Sequence, residues 1–322
     1  MGRRYFVTGG AGFIGSNFIR FVLDAEADAR VTNLDAMTYA CVRATVDELD
    51  VSPRHTFVEG DIRNAALMAE LLPGHDVVVH FAAESHVDRS IDGPLTFLET
   101  NVVGTGELLD AAYQSEVPRF IHVSTDEVYG SLPDGSALEG DALRPSSPYS
   151  SSKAGSDLLA LSYNVTFGYD VMVTRCTNNY GPYQFPEKVI PLFITNLIDG
   201  KRVPLYGDGR NERDWLHVLD HCAAIHLLVD QGQGGEIYNI GADSQMSNLQ
   251  LTHSILDALG LDDSWIEPVE DRLGHDLRYA VDSSKLRRLG WKPEEQFEAR
   301  LIDTIDWYKS SSDWWRPLRE AT

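Results

Sequence analysis

Cysteine is scarce in this chain. Its 322 residues include three, Cys41, Cys176 and Cys222, too widely spaced for a metal-ligand pattern or a disulfide framework, which suits a reducing cytoplasm. Long apolar runs are missing too: no stretch could span a bilayer, and glycines follow Tyr5-Phe6-Val7-Thr8 too soon for a secretory signal. Positive charge is in deficit. Lys and Arg number 27 against 49 Asp and Glu, a net charge of −22, which argues against binding nucleic acid or an anionic membrane through bulk electrostatics. Any phosphate held here must be held by local donors. There is no internal repeat, low-complexity tract or long Pro/Gly/Ser linker. What is present, 43% hydrophobic and 24% charged residues, is the composition of an ordinary globular protein large enough for more than one domain.

The short strand Tyr5–Thr8 runs into Gly9-Gly10-Ala11-Gly12-Phe13-Ile14-Gly15 and then a helical pattern through Ile19, Val22 and Leu23. Glycines there permit a tight turn, close approach of a diphosphate to backbone N–H groups, and close helix-on-strand packing. A second strand, Val31–Asp35, ends in an acid twenty residues after Gly15. Such an acid can bond an adenosine ribose and repel a 2′-phosphate, which favours NAD over NADP. Further strands are expected at Thr56–Val58 and Val77–Ala83, with a helix through Leu67 and Leu71 between them and Asp61-Ile62 at a strand end near a possible adenine. This alternation predicts an α/β fold, a Rossmann-type doubly wound parallel sheet. Glu84 to Ser90 reads as a polar loop, in which His86 is either a ligand contact or a loop-stabilising residue.

Phe120-Ile121-His122-Val123-Ser124 then gives way to Thr125-Asp126-Glu127, a buried strand running out into a polar site. Side chains alternate along a strand, so Asp126 and Glu127 share one substrate only if the chain leaves strand geometry between them. Alone, the two acids would read as a solvated turn. Tyr149 and Lys153 follow, four apart on one helix face. A neighbouring ammonium and a cationic nicotinamide both favour the phenolate of a tyrosine, making Tyr149 a base for an alcohol that loses hydride.

Gly9-x-x-Gly12-x-x-Gly15 with Tyr149-x-x-x-Lys153 resembles the extended short-chain dehydrogenase/reductases. Within that family, Ala82 to Ser90, Ser124 to Gly130 and Asn178-Asn179-Tyr180-Gly181-Pro182-Tyr183-Gln184 look like the dTDP-glucose 4,6-dehydratases, over nearly the whole chain. The resemblance implies NAD as cofactor, dTDP-glucose as substrate and a homodimer built on helices near 95–113 and 151–167. It implies cofactor contacts from Gly9, Gly12, Phe13, Ile14, Gly15, Asp35, Thr38, Asp61, Ile62, Ala82, Ala83, Tyr149 and Lys153. Catalysis would fall to Thr125, Asp126, Glu127, Tyr149 and Lys153, with Asp126 the acid and Glu127 the base. The chain departs from the family at Cys41-Val42, where Gly-Asn is usual, and this bears on the loop over the ribose.

Residues 1–178 are therefore expected to form the NAD-binding domain, and 179–322 mainly a smaller α/β nucleotide-sugar domain, with about 208–240 returning to the first. Lys188, Arg213 and Arg272 are cations suited to a diphosphate. The resemblance adds Ser85, His86, Asn179, Leu192, Pro204, Tyr206, Asn248 and His275 as substrate contacts, with Glu187 and Tyr279 weaker ones. Phe297, Leu301, Ile305 and Tyr308 recur at helical spacing and read as core, as do Trp307, Trp314 and Trp315. A UDP-sugar 4-epimerase or UDP-glucuronate decarboxylase would share the fold, NAD and the Tyr–Lys pair, but would not need an acid to expel a C6 hydroxyl. A non-catalytic NAD-sensing protein would be free to lose the tyrosine or lysine, and both are present.

Overall fold

Seven parallel strands form the frame of the molecule, whose computed structural model describes residues 2–270 and 276–320. Their order across the sheet is Ile237–Ile240, Val171–Cys176, Arg119–Thr125, Val77–His80, Arg4–Thr8, Arg30–Asp35 and His55–Glu59. The strand direction is parallel throughout, with Tyr5 opposite Val77 and Val31, and Phe120 opposite Val171. Both faces are covered, which is why Val77, Val78 and Val79 are all buried rather than alternating. On one face Phe18, Ile19 and Val22 of helix Phe13–Ala25 pack with Ala224, Ile225 and Leu228 of helix Val218–Gln231. On the other, Met68, Leu108, Leu109 and Ala160 close a second core.

Strand order reverses between Arg4–Thr8 and Val77–His80, so the connections diverge there and leave a crevice beyond the strand ends. The fold thus aims the glycine turn and the segment after His80 at one place. A Cβ on Gly9 would lie 2.6 Å from the Ala82 nitrogen, and Gly9 itself has φ 74°. Only glycine fits there without displacing backbone.

The C-terminal half adds a three-stranded sheet (Gln245–Ser247, Glu212–His217, Asn178–Tyr180) and a parallel pair (Ile266–Val269 with Val203–Tyr206). Strand Ile237–Ile240 belongs instead to the main sheet. A separate core joins Ile190, Phe193 and Ile194 to Leu251, Leu301, Tyr308 and Trp315. Phe297, Leu301, Ile305 and Tyr308 are buried as the periodicity predicts, and Trp314 and Trp315 pack beside them while Trp307 is partly buried. One local reading changes. The segment read as a polar loop becomes helix Val87–Asp92 from its fourth residue, with His86 as N-cap. Asn178–Tyr180 is held as a strand by its pairing with Glu212–His217.

Candidate active site

The acid pair meets its geometric requirement at Thr125. That residue is still extended (φ −136°, ψ 152°), and a single 3₁₀ turn, Asp126–Tyr129, starts immediately after it. Thr125 Oγ1 accepts the Glu127 N–H at 3.2 Å and donates to Asp126 Oδ1 at 3.3 Å, so one hydroxyl starts the turn and touches the acid. Gly130 ends it with φ 76°, where a Cβ would strike the Arg144 carbonyl oxygen at 2.2 Å. Both carboxylates now line one cavity of about 570 Å³, but unequally: Asp126 is buried and Glu127 half-buried. Burial, and then the charge of Glu127, push the Asp126 carboxyl well above the usual carboxylate range, against the pull of Arg213. Asp126 Oδ2 has no protein partner. An acid held towards its protonated form, with one oxygen unpartnered, thus lines the cavity.

Tyr149 and Lys153 come from helix Pro148–Phe167, started by a capping box between Ser147 and Ser150 with Pro148 in the first turn. Both side chains are buried, and Lys153 Nζ donates to the Val123 carbonyl at 2.8 Å. Burial lowers the Lys153 ammonium to about 8 while Asp157 works against the fall. Tyr149 moves the other way from the sequence expectation. Burial and then Glu127 hold its phenol well above 10, and only a hydrogen bond with Thr125 opposes them. Desolvation is the largest influence in this site, so the protein alone favours the neutral phenol.

Gly12 precedes helix Phe13–Ala25, which has no side-chain cap and no acid in its first turn. Its leading N–H groups are thus available to an anion. Gly15 keeps the helix against the turn, since a Cβ there would meet the Gly9 oxygen at 2.3 Å. Asp35 ends its strand at the same cavity, accepting Ala11 N and Met37 N at 2.9 Å each. The Cys41 thiol also reaches Asp35 Oδ1, at 3.0 Å, and Val42 is buried, so the unusual Cys-Val pair ties the loop to the acid and to the core. Phe13, Ile14, Thr38, Asp61, Ile62, Ala82 and Ala83 line the same cavity. A glycine-walled helix N-terminus beside an acid fits a dinucleotide with a free ribose hydroxyl.

The nucleotide-sugar candidates are less uniformly gathered. Ser85, Asn179, Glu187 and Lys188 line the cavity. His86 lies beside it, its Nε2 3.8 Å from Glu187 Oε1 while its Nδ1 accepts the Arg89 N–H at 3.5 Å. Leu192, Pro204, Tyr206, Arg213 and Asn248 are outside this wall. Arg213 still acts on the charge of Asp126 and stacks its guanidinium 4.5 Å from the Tyr279 ring. Arg272 and His275 lie outside the described residues. Sequence reasoning missed Cys176, Thr177 and Asn178, which line the cavity from the end of strand Val171–Cys176, and gave no cavity role to Gln184 and Phe185. The strand-end rule that found Thr125 applies to the first three as well. Thr177 Oγ1, Asn178 Oδ1 and Gln184 Oε1 are buried without a protein partner, as polar groups awaiting a ligand would be.

Compared with known proteins, residues 6–304 match the family described as GDP-mannose 4,6 dehydratase. The dTDP-glucose 4,6-dehydratase of Streptomyces antibioticus is 54% identical, over 98% of this chain and 95% of its own. A solved dTDP-glucose 4,6-dehydratase from Streptomyces venezuelae, with NAD and TYD bound, matches with a TM-score of 0.95 at 54% identity, covering 98% of this chain and 99% of that one. The UDP-N-acetylglucosamine 4-epimerase of Methanobrevibacter ruminantium, in complex with UDP-N-acetylmuramic acid, reaches a TM-score of 0.89 at 28% identity over 96% and 99%. Proteins named for different reactions share this backbone, so the reaction has to be argued from side chains.

Proposed function

The chain belongs to the GDP-mannose 4,6 dehydratase family, and we propose from that premise that its cavity performs the NAD-dependent conversion of dTDP-glucose to dTDP-4-keto-6-deoxyglucose. The observation that carries the reading is the unequal acid pair beside Tyr149 and Lys153: a buried, protonated Asp126 and a more open Glu127 in one turn. Neither a 4-epimerase nor a decarboxylase needs an acid to expel a C6 hydroxyl.

Bound NAD⁺ supplies the acceptor for the C4 hydride, the positive ring charge that favours the Tyr149 phenolate, and the hydride returned to C6. Tyr149 takes the C4 hydroxyl proton, with Lys153 fixed against the Val123 carbonyl as the neighbouring cation. Thr125 bonds the C4 oxygen as it becomes a ketone, and that ketone acidifies C5–H. Glu127 removes the C5 proton while Asp126 gives its proton to the departing C6 hydroxyl, so water leaves and the acid and base exchange charge states. Glu127, whose proton exchanges with solvent, gives a proton back to C5 at the end, and release of the proton held by Tyr149 balances the one regained by Asp126. Residues 1–178 carry these catalytic groups, and 179–322 mainly hold the nucleotide, except where Ile237–Ile240 rejoins the main sheet. Lys188 and Arg213 serve the diphosphate in this arrangement.

A second copy of the chain is the expected partner. Leu95, Leu98 and Val103 on one helical run, and Leu158, Val165 and Phe167 on helix Pro148–Phe167, are exposed apolar residues on the helices that would form a four-helix bundle. Sedimentation as a monomer at micromolar concentration counts against this partner. Among the described residues no helix is long and apolar enough to cross a membrane.

The testing experiment incubates the purified protein with dTDP-glucose in water and in D₂O. Loss of one water with deuterium at C5 is expected. No conversion after NAD is supplied, with turnover of a UDP- or GDP-sugar instead, overturns the substrate.

A further inference from the structure

Behind the catalytic pair lies a buried polar chain that the reaction steps do not use. Asp157 stands one helical turn beyond Lys153 on helix Pro148–Phe167, as Lys153 stands one turn beyond Tyr149. Residues four apart on a helix are neighbours on one face. Asp157 is fully buried, which is costly for a carboxylate without partners. Its Oδ2 accepts Arg175 Nε at 2.9 Å, and its Oδ1 lies 3.4 Å from His122 Nε2. Arg175 continues to the Tyr129 hydroxyl at 2.8 Å, which donates to Asn239 Oδ1 at 2.8 Å. The chain therefore runs from the catalytic helix under the acid turn to the sheet edge.

The surroundings of Lys153 show what this acid is for. The ammonium donates to a neutral carbonyl, Val123 O, at 2.8 Å. Strand Arg119–Thr125 presents His122, which burial holds near 4 and therefore neutral, and the adjacent strand presents His80, lowered for the same reason. Strand Val171–Cys176 presents the Cys176 thiol, pushed up to about 12, and the Arg175 cation. The turn Asp126–Tyr129 offers the protonated Asp126, Glu127 and the phenol of Tyr129. On the packed helical run Glu99–Gly104 and Thr105–Gln114, Asn101 and Thr105 face this region, whereas Glu107 and Asp110 act on Tyr163. Burial alone would raise the Asp157 carboxyl, but His122 and Arg175 outweigh it and keep the acid ionised.

We propose that Asp157 is a positioning residue that keeps Lys153 charged in its dry setting, with Arg175 holding the carboxylate ionised in turn. The ladder Tyr149, Lys153, Asp157 then alternates phenol, cation and anion along one helix face. Removing the anion leaves the buried Lys153 ammonium without the charge that opposes its desolvation, and its proton is lost at lower pH.

The test rests on the proposed substrate, and dTDP-xylose isolates the relevant step because it has no C6 to lose a hydroxyl. Mixed with the holoenzyme, it reduces the bound cofactor at a rate read by near-ultraviolet absorbance against pH. In Asp157→Asn the alkaline limb of that profile moves to lower pH by about one unit, the scale of a close opposite charge, and Asp157→Glu restores it. Because Asp157→Asn strands a buried guanidinium, Asp157→Asn/Arg175→Gln serves where the single variant does not fold. It replaces both charges by amides and still shifts the limb to lower pH, by less. An unmoved limb in both, with only a lowered melting temperature, overturns the inference and assigns the chain of contacts to stability. Failure of the unaltered enzyme to reduce its cofactor instead indicts the substrate. In that case ¹³C NMR of lysine-labelled protein, with Lys153→Met assigning the signal, reads the Lys153 titration with no sugar present. An unshifted titration in the Asp157 variants then overturns the inference by itself.

Discussion

The cavity holds two ionisable pairs built by opposite devices. Tyr149 and Lys153 owe their juxtaposition to regular structure: four residues of a capped helix bring them to one face, and the helix is sealed against the sheet. Asp126 and Glu127 owe theirs to its abandonment. They are adjacent in sequence, and share a cavity because the strand stops at Thr125 and turns once. The helix pair is uniformly dry, whereas the turn leaves one acid dry and its neighbour half open. That asymmetry pushes the Asp126 carboxyl up and leaves Glu127 half open, the kind of inequality that elimination of water requires. Regular structure is a good way to hold a pair equal, and irregular structure a good way to make it unequal.

The largest effect separating the pairs is expected from Tyr149→Phe. It removes the base for the first step, so turnover of dTDP-glucose falls by roughly 10²–10⁴-fold and the cofactor stays oxidised in a single turnover with dTDP-xylose. Asp126→Asn is expected to cut water loss by about 10²-fold while leaving dTDP-xylose oxidation nearly intact. Equal losses in both assays would dissolve the distinction between the pairs.

A smaller effect tests how dry the helix pair's footing is. His122 is held near 4 by burial, below the ordinary histidine value of about 6.5. The unfolded chain therefore binds a proton there before the folded one does. Its contribution is favourable above that ordinary value and is lost as pH falls from about 6.5 towards 4. The urea midpoint should drop between pH 7 and pH 5, and His122→Gln should flatten that dependence. The smallest effect is expected at Cys41. Cys41→Ala frees Asp35 Oδ1 from the thiol, and a gain of about one hydrogen bond slows cofactor release by roughly fivefold, measured by dilution and enzymatic assay of the NAD⁺ released.

Most of the main sheet was legible because its signals are local. Strand Arg4–Thr8, its glycine turn and Asp35 follow one another in the order of their use, and every cofactor candidate drawn from them reaches the cavity wall. The nucleotide-sugar side was less legible. Pro204 and Tyr206 sit on a strand paired with Ile266–Val269, and Asn248 opens a helix tied to Asn211, contacts made far along the chain and off the wall. Nothing local distinguishes them from residues that reach it.

The sequence by itself determined which chemistry was available: a glycine turn, an acid at the second strand end, two adjacent carboxylates, and a tyrosine and lysine at helical spacing. Each is fixed by a few neighbouring residues, through backbone sterics or a single turn of helix. Only the tertiary structure decided the state of those groups. It left Tyr149 a phenol, protonated Asp126, kept Asp157 ionised beside Arg175 and tied Cys41 to Asp35. Protonation depends on what surrounds a group on every side, and those surroundings are assembled from elements more than a hundred residues apart.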